Sequence, residues 1–211
     1  MLFSVMRKFL LEHPKSHDLY QRARQSMPGG MPMLWMVRWA GTFPVFVKEA
    51  NGVYFTDMDG HSYIDFCLGD TSAMTGHSPK ATLETIKAQV GNGITFMLPT
   101  EDVIWVGEEL QRRFGLPYRQ FALTATDANR FAIHMTRHIT NRPKILVFNY
   151  CYHGTVDEIF ITLHEEGTPG PRHDNLGPPI NPVETAKVIE FNDIPALETT
   201  LSTRDVAGVL A

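Results

Sequence analysis

Two short segments carry residue types suited to binding and converting a small molecule. Residues 123–129 read Leu-Thr-Ala-Thr-Asp-Ala-Asn, between a β-prone run and a helical pattern. A turn that opens a helix presents backbone N–H groups with no intrahelical acceptor, and the helix dipole adds positive potential there. A phosphate or carboxylate would be held at Ala125 and Thr126, with the Thr126 hydroxyl as an extra donor. The same residues also suit a plain helix cap through Thr124 or Thr126. Residues 150–154, Tyr-Cys-Tyr-His-Gly, directly follow a continuous apolar run at 144–148. Ligands bind at the C-terminal ends of strands in α/β sheets, where a tyrosine can stack on a flat ring and a histidine can move a proton. The plainer reading is a strand end packed by tyrosine with a satisfied His153.

Metal chemistry finds less support. The run Asp57-Met58-Asp59-Gly60 has the look of a calcium loop but lacks a glutamate at the required offset. His134 and His138 stand one helical turn apart with no evident third ligand. Cys67 and Cys151 are far apart and form neither a CxxC pair nor a disulfide framework. No metal site is expected, and a reducing compartment is the default.

The elements that must position these residues follow from pattern. Residues 16–27 read as a helix with Ser16 as N-cap, ended by Pro28-Gly29-Gly30. Residues 31–44 form an apolar connector rich in Trp and Met. Residues 45–48, 53–56 and 63–66 are β-prone, with Asp59-Gly60 as a two-residue hairpin turn whose residues both need positive φ. Ser78-Pro79 opens a helix whose face carries Leu83, Ile86 and Val90, and Gly91 or Gly93 ends it. Thr100 caps a further helix that stops at Gly115. A strand at 120–123 precedes the phosphate-type turn. The helix after it shows Ala128, Phe131, Ala132, Met135 and Ile139 on one face. Residues 144–148 read as a strand buried on both sides. Residues 162–183 are Gly/Pro-rich with little periodicity, as in functional or mobile loops. A helix near 194–202 and an apolar strand at 206–211 complete the chain. Alternating strands and helices predict an α/β fold with a parallel sheet. Because the last strand has no helix to cover it, the expectation is the N-terminal portion of a larger protein.

At 211 residues, with 43% hydrophobic and 20% charged residues, the chain has an ordinary globular composition. A net charge of −4 offers no basic field for nucleic acid or an anionic membrane. No run reaches the roughly 20 apolar residues of a membrane span. The N-terminal stretch, broken by Arg7 and Lys8, reads as an amphipathic segment rather than a secretory signal. A cytoplasmic protein is expected.

Taken in order, the motifs resemble those of the class III pyridoxal-phosphate (PLP) aminotransferases, in the branch of glutamate-1-semialdehyde aminomutase and β-amino-acid aminotransferase. They are Pro28-Gly29-Gly30, Gly52 with Asp57-Met58-Asp59-Gly60 and Tyr63-Ile64-Asp65, Gly76-His77-Ser78-Pro79, Pro99-Thr100-Glu101, Thr124 to Asn129, and Tyr152-His153-Gly154. The resemblance implies the large-domain sheet of a type I PLP transferase, mainly parallel with helices on both faces, and incomplete. Residues 1–66 would be an N-terminal arm and β-hairpin of the small domain, and residues 67–211 the first part of the PLP-binding large domain. It further implies that Ala125 and Thr126 bind the cofactor phosphate, that Tyr152 stacks on the ring, and that His153 lies beside it. Residues 155–183 would gate the site. The implied activity moves an amino group between an amine or amino acid and a keto acid or aldehyde, in a homodimer.

Three departures matter. Ala125 replaces the family's glycine, a strained choice if its φ is positive. The position of the branch's carboxylate-binding arginine falls at Trp35 or Met36, so either Arg38 serves from a shifted loop or the substrate pocket is apolar. The Schiff-base lysine matches no residue of this sequence. The chain alone is therefore expected not to transaminate; the rival reading is a non-catalytic homologue that dimerises or binds phosphate ligands.

Overall fold

The computed structural model describes residues 2–38, 41–173, 175 and 180–211. By internal packing the chain divides into two compact units, 1–99 and 100–211. In the first unit, helices α1 (Leu2–Glu12) and α2 (Pro14–Ala23) precede a three-stranded antiparallel sheet. Its strands are β1 (Val47–Asn51), β2 (Tyr54–Asp57) and β3 (Ser62–Ile64), in the order β1-β2-β3. Helix α3 (Lys80–Asn92) follows, and Gly93 ends it at φ +98°.

Sequence pattern misplaced one cap and one turn here. Helix α2 begins two residues before Ser16, with Pro14 in its first turn. Ser16 is buried inside the helix and its hydroxyl accepts from the Phe46 N–H. The capping group is instead the distant carboxylate of Asp59, which accepts from the Lys15 and Ser16 N–H groups at 2.8 and 3.0 Å. Only Gly60 of the Asp59-Gly60 pair has positive φ, so the β2–β3 connection is not the expected two-residue turn. The Asp57 carboxylate stabilises the longer turn by accepting from the Asp59 and His61 N–H groups, both at 2.9 Å.

Several motifs of the first unit meet in one place. Gly52 and His77 exchange backbone hydrogen bonds at 3.0 and 2.7 Å, and His77 Nε2 lies 2.8 Å from the Asp65 carboxylate. A Cβ on Gly76 would sit 3.1 Å from the Gly52 carbonyl oxygen, which requires glycine there.

The second unit holds helices α4 (Asp102–Phe114) and α5 (Ala125–Thr140), then β4 (Lys144–Phe148). After these come β5 (Ile161–Leu163), β6 (Pro169–Pro171), α6 (Pro182–Thr185), β7 (Ala186–Ile189), α7 (Ile194–Ser202) and β8 (Val206–Leu210). Strands β7-β4-β8 form a parallel sheet with β4 central. Alternation along β4 sends side chains to opposite faces. Ile145 and Val147 pack with Ile133 of α5 and with Val156, Ile159 and Ile161. Leu146 packs with Ile189, Val206 and, on α7, Ala196 and Leu197. Both faces are covered, which explains the uninterrupted apolar run.

Three expectations fail in this unit. Residues 120–123 form no strand: a strand needs a ladder partner, and no described segment supplies one. The stripe of α5 named from sequence is not the face on the sheet: Phe131, Met135 and Ile139 are exposed, and Ile133 is the buried residue. The helix approaches β8 through small groups instead, Thr136 lying where a Cβ on Gly208 would come within 2.9 Å of its methyl. Finally, residues 155–173 are not structureless. The β5–β6 hairpin is antiparallel, and Ile159 and Ile161 are fully buried. Positions 174 and 176–179 of the expected gating loop lie outside the described residues.

Candidate functional site

Helix α5 opens with a reciprocal cap. The Asp127 N–H donates to the Thr124 hydroxyl oxygen at 3.1 Å, and that hydroxyl donates to the Asp127 carboxylate at 2.8 Å. The Ala128 N–H donates to the Thr124 carbonyl. The remaining N–H groups of the first turn, on Ala125 and Thr126, have no acceptor within the helix by its geometry. Ala125 is a helical residue with negative φ, so the alanine carries none of the strain that a left-handed position would impose.

The tyrosine-histidine-glycine segment lies against this helix end. Thr126 Oγ accepts from the Thr155 N–H at 3.0 Å, and Asn129 Nδ2 donates to the His153 carbonyl at 2.9 Å. Gly154 stands at φ +83°, and a Cβ there would fall 2.2 Å from Thr126 Oγ. The two segments singled out by sequence therefore form one site. The Thr126 hydroxyl uses a lone pair on the Thr155 N–H. Tyr152 is 75% exposed, leaving its ring face accessible. His153 Nε2 is buried without a hydrogen-bond partner.

Residues that sequence reasoning missed hold this loop in place. Asn149 follows β4 directly. Its side-chain oxygen Oδ1 accepts from Thr162 Oγ and the Leu163 N–H, and its Nδ2 donates to Glu190 at 2.7 Å. Tyr150 takes φ +58° to turn the chain. Arg172 donates to the Cys151 carbonyl at 2.8 Å. Burial, with Arg172 working against it, raises the Cys151 thiol pKa, so this cysteine stays a thiol. The signal for Asn149 was an amide at the end of a buried strand.

A model of the class-III aminotransferases matches residues 35–201. The chain belongs to that family. It is 34% identical over 192 residues to a glutamate-1-semialdehyde 2,1-aminomutase of Methanocella arvoryzae, covering 90% of this chain and 45% of that protein. The crystal structure of a glutamate-1-semialdehyde-aminomutase from Pseudomonas aeruginosa PAO1 superposes with a TM-score of 0.92 at 45% identity, over 98% of this chain and 46% of that one. An omega-transaminase from Sphaerobacter thermophilus matches with a TM-score of 0.83 at 30% identity, over 92% of this chain and 46% of that one. This class-III chain thus spans about half the length of the relatives it matches, and its α/β fold corresponds to part of theirs.

Two features bear on the family's chemistry. Lys144 and Lys187 are the only lysines after Lys87. Both reach Asp205, at 3.8 and 2.6 Å. Asp205 precedes β8 and both lysines lie in the first half of their strands, whereas Tyr152 and His153 follow the C-terminal end of β4. Hydrogen bonds from Lys187 and Thr203 hold the Asp205 carboxyl down at about 2. In the first unit, Trp35 and Arg38 share one 3-10 turn, Leu34–Val37 with Arg38 as its C-cap. Trp35 is 57% exposed.

One further cluster was not foreseen. His13, Asp57 and His61 converge in the first unit, with Tyr63 beside them. His13 and Asp57 lie about 44 residues apart in sequence, and only folding of α1 and α2 onto the hairpin brings them together.

Proposed function

We propose that this chain contributes the cofactor-phosphate and ring-stacking part of a PLP-dependent aminotransferase or aminomutase. The observation that carries the reading is the junction of the α5 N-terminus with the 152–155 segment, closed by the Thr155–Thr126 and Asn129–His153 hydrogen bonds. The residues present fit such a cofactor. The Ala125 and Thr126 N–H groups and the Thr126 hydroxyl would receive the phosphate, and the exposed Tyr152 ring would stack on the pyridine. When bound, PLP supplies the electron sink for moving an amino group between an amine or amino acid and a keto acid or aldehyde. The chain's own contribution is to bind and orient: the helix dipole offsets the phosphate charge, and Gly154 lets the loop approach Thr126. His153, whose Nε2 is buried and unpartnered, would lie beside the ring.

The finer assignments rest on the resemblance. Trp35 and Arg38 are proposed to line the substrate pocket, Trp35 making it more apolar than an arginine would. The division into a small-domain part, 1–66, and a large-domain part, 67–211, and a homodimeric cytoplasmic enzyme, are proposed on the same footing. Both cysteines are free, which suits a reducing compartment. Lys144 and Lys187 pair with Asp205 at the opposite end of their strands from Tyr152 and His153, so neither is proposed as the Schiff-base lysine, and this chain by itself is expected not to transaminate. The test is to mix the protein with PLP and an amino donor and follow keto-product formation, alongside PLP binding by absorbance. Binding without turnover is expected. Turnover would overturn the assignment of the lysines, and absence of binding would favour the non-catalytic homologue.

A further inference from the structure

The cluster at His13, Asp57 and His61 lies wholly within the first unit and takes no part in the site above. Its donor atoms, one from each residue, all lie within 4.8 Å of one another. His61 Nδ1 is 3.2 Å and His13 Nε2 3.6 Å from Asp57 Oδ2. Tetrahedral zinc, with bonds of about 2.0–2.2 Å, sets its ligand atoms roughly 3.3–3.6 Å apart. The His13 edge falls in that range and the His61 edge lies just below it. Tyr63 Oη stands 2.8 Å from His13 Nε2 and donates to Asp57 Oδ2 at 2.9 Å, so a solvent molecule would supply the fourth ligand.

The surroundings orient His13 as a metal site requires, while His61 Nδ1 donates to Asp57 Oδ2 in the ion-free protein and would give up that proton to a metal. His13 Nδ1 faces the Phe9 carbonyl at 2.8 Å. A carbonyl only accepts, so Nδ1 carries the proton and Nε2 turns inward, the arrangement that outer partners impose on metal-bound histidines. The Phe9 ring stacks on His13 at 4.1 Å. Asp57 is fully buried; its Oδ1 is held by the Asp59 and His61 N–H groups, and its Oδ2 faces the two histidines and accepts from Tyr63 Oη.

We propose that His13, Asp57 and His61 form a divalent metal site of zinc type that pins helices α1 and α2 to the β2–β3 turn. Two neutral imidazoles and one carboxylate suit zinc or cobalt over calcium or magnesium, which prefer all-oxygen sets. Asp59, two residues on, caps α2 from the same turn, so the ion would reinforce an attachment the fold already makes.

The test is calorimetric titration of the chelator-treated protein with zinc chloride, and the visible spectrum after adding cobalt(II). One zinc per chain is expected, with the intense bands of tetrahedral cobalt. His61 is the more exposed ligand, so H61A is the decisive variant and should weaken binding at least tenfold; H13A should do the same if it folds by circular dichroism. The paired H134A/H138A variant, which removes the helical histidine pair, should leave affinity unchanged. No saturable binding by the folded protein, full affinity in H61A, or loss of binding in H134A/H138A would each overturn the proposal.

Discussion

Replacing Gly154 with alanine tests the geometry of the junction between α5 and the 152–155 segment. Two costs combine. The backbone at φ +83° lies in the region that side chains disfavour, worth about 1–2 kcal/mol. The new methyl would also sit 2.2 Å from Thr126 Oγ and 2.9 Å from Thr126 Cα. The Cα belongs to the first turn of a 16-residue helix, so it cannot swing aside as a side chain would. Overpacking of that kind costs about 1–3 kcal/mol. The sum, about 2–5 kcal/mol, is a large part of a typical stability of about 5–15 kcal/mol. Urea unfolding followed by circular dichroism should show the midpoint falling at unchanged slope. The single variant T126A should cost about 0.5–1.5 kcal/mol, because the exposed Thr155 N–H loses its acceptor but can turn to water. In the double variant the Oγ clash is gone while the Cα clash remains, so the combined loss should fall short of the sum by about 0.5–1 kcal/mol. A G154A loss below about 0.5 kcal/mol, or strict additivity with T126A, would refute the close approach.

Other expectations follow from single contacts. N149L should destabilise by about 2–4 kcal/mol, since it strands the buried Thr162 hydroxyl and the Leu163 N–H together, while the exposed Glu190 carboxylate turns to water; thermal melting measures it. D59A removes the acceptor for two α2 N–H groups and should cost about 1 kcal/mol in the same assay. Asp205 and Glu109 are both held at about 2, the first mainly by Lys187 and the second mainly by Arg112. A depressed folded pKa contributes stability that is fully present above the unfolded value near 4 and is lost as pH falls toward 2. Unfolding midpoints should therefore drop across that window, and D205N should flatten the drop. Both carboxylates remain partly open to solvent, so added salt should weaken the effect.

Much of the second unit was legible because its signals are local. The apolar run of β4, the helix α7 and the strand β8 lie within a residue or two of their expected places. The phosphate-type turn and the Tyr-His-Gly segment were each visible as pieces, and folding showed that Thr126 and Thr155 join them. What failed depended on partners distant in sequence. Ser16 looked like a cap, yet Asp59 supplies it from more than forty residues away. Residues 120–123 have strand composition but no described neighbour to pair with. The α5 face was misjudged because Thr136 and Gly208 allow helix and strand to meet closely without large side chains, a contact that hydrophobic periodicity does not register. The His13–Asp57–His61 cluster escaped for the same reason as the Asp59 cap.

The central claim is that the α5 N-terminus receives the phosphate of a pyridoxal cofactor. The most direct measurement compares the affinity of the protein for PLP with that for pyridoxal, which lacks the phosphate, by absorbance titration before and after borohydride. PLP should bind at least tenfold more tightly, T126A should narrow that gap, and borohydride should leave no cofactor fixed to Lys144 or Lys187 in the peptide map. Equal affinity for the two compounds, or a cofactor reduced onto either lysine, would contradict the account.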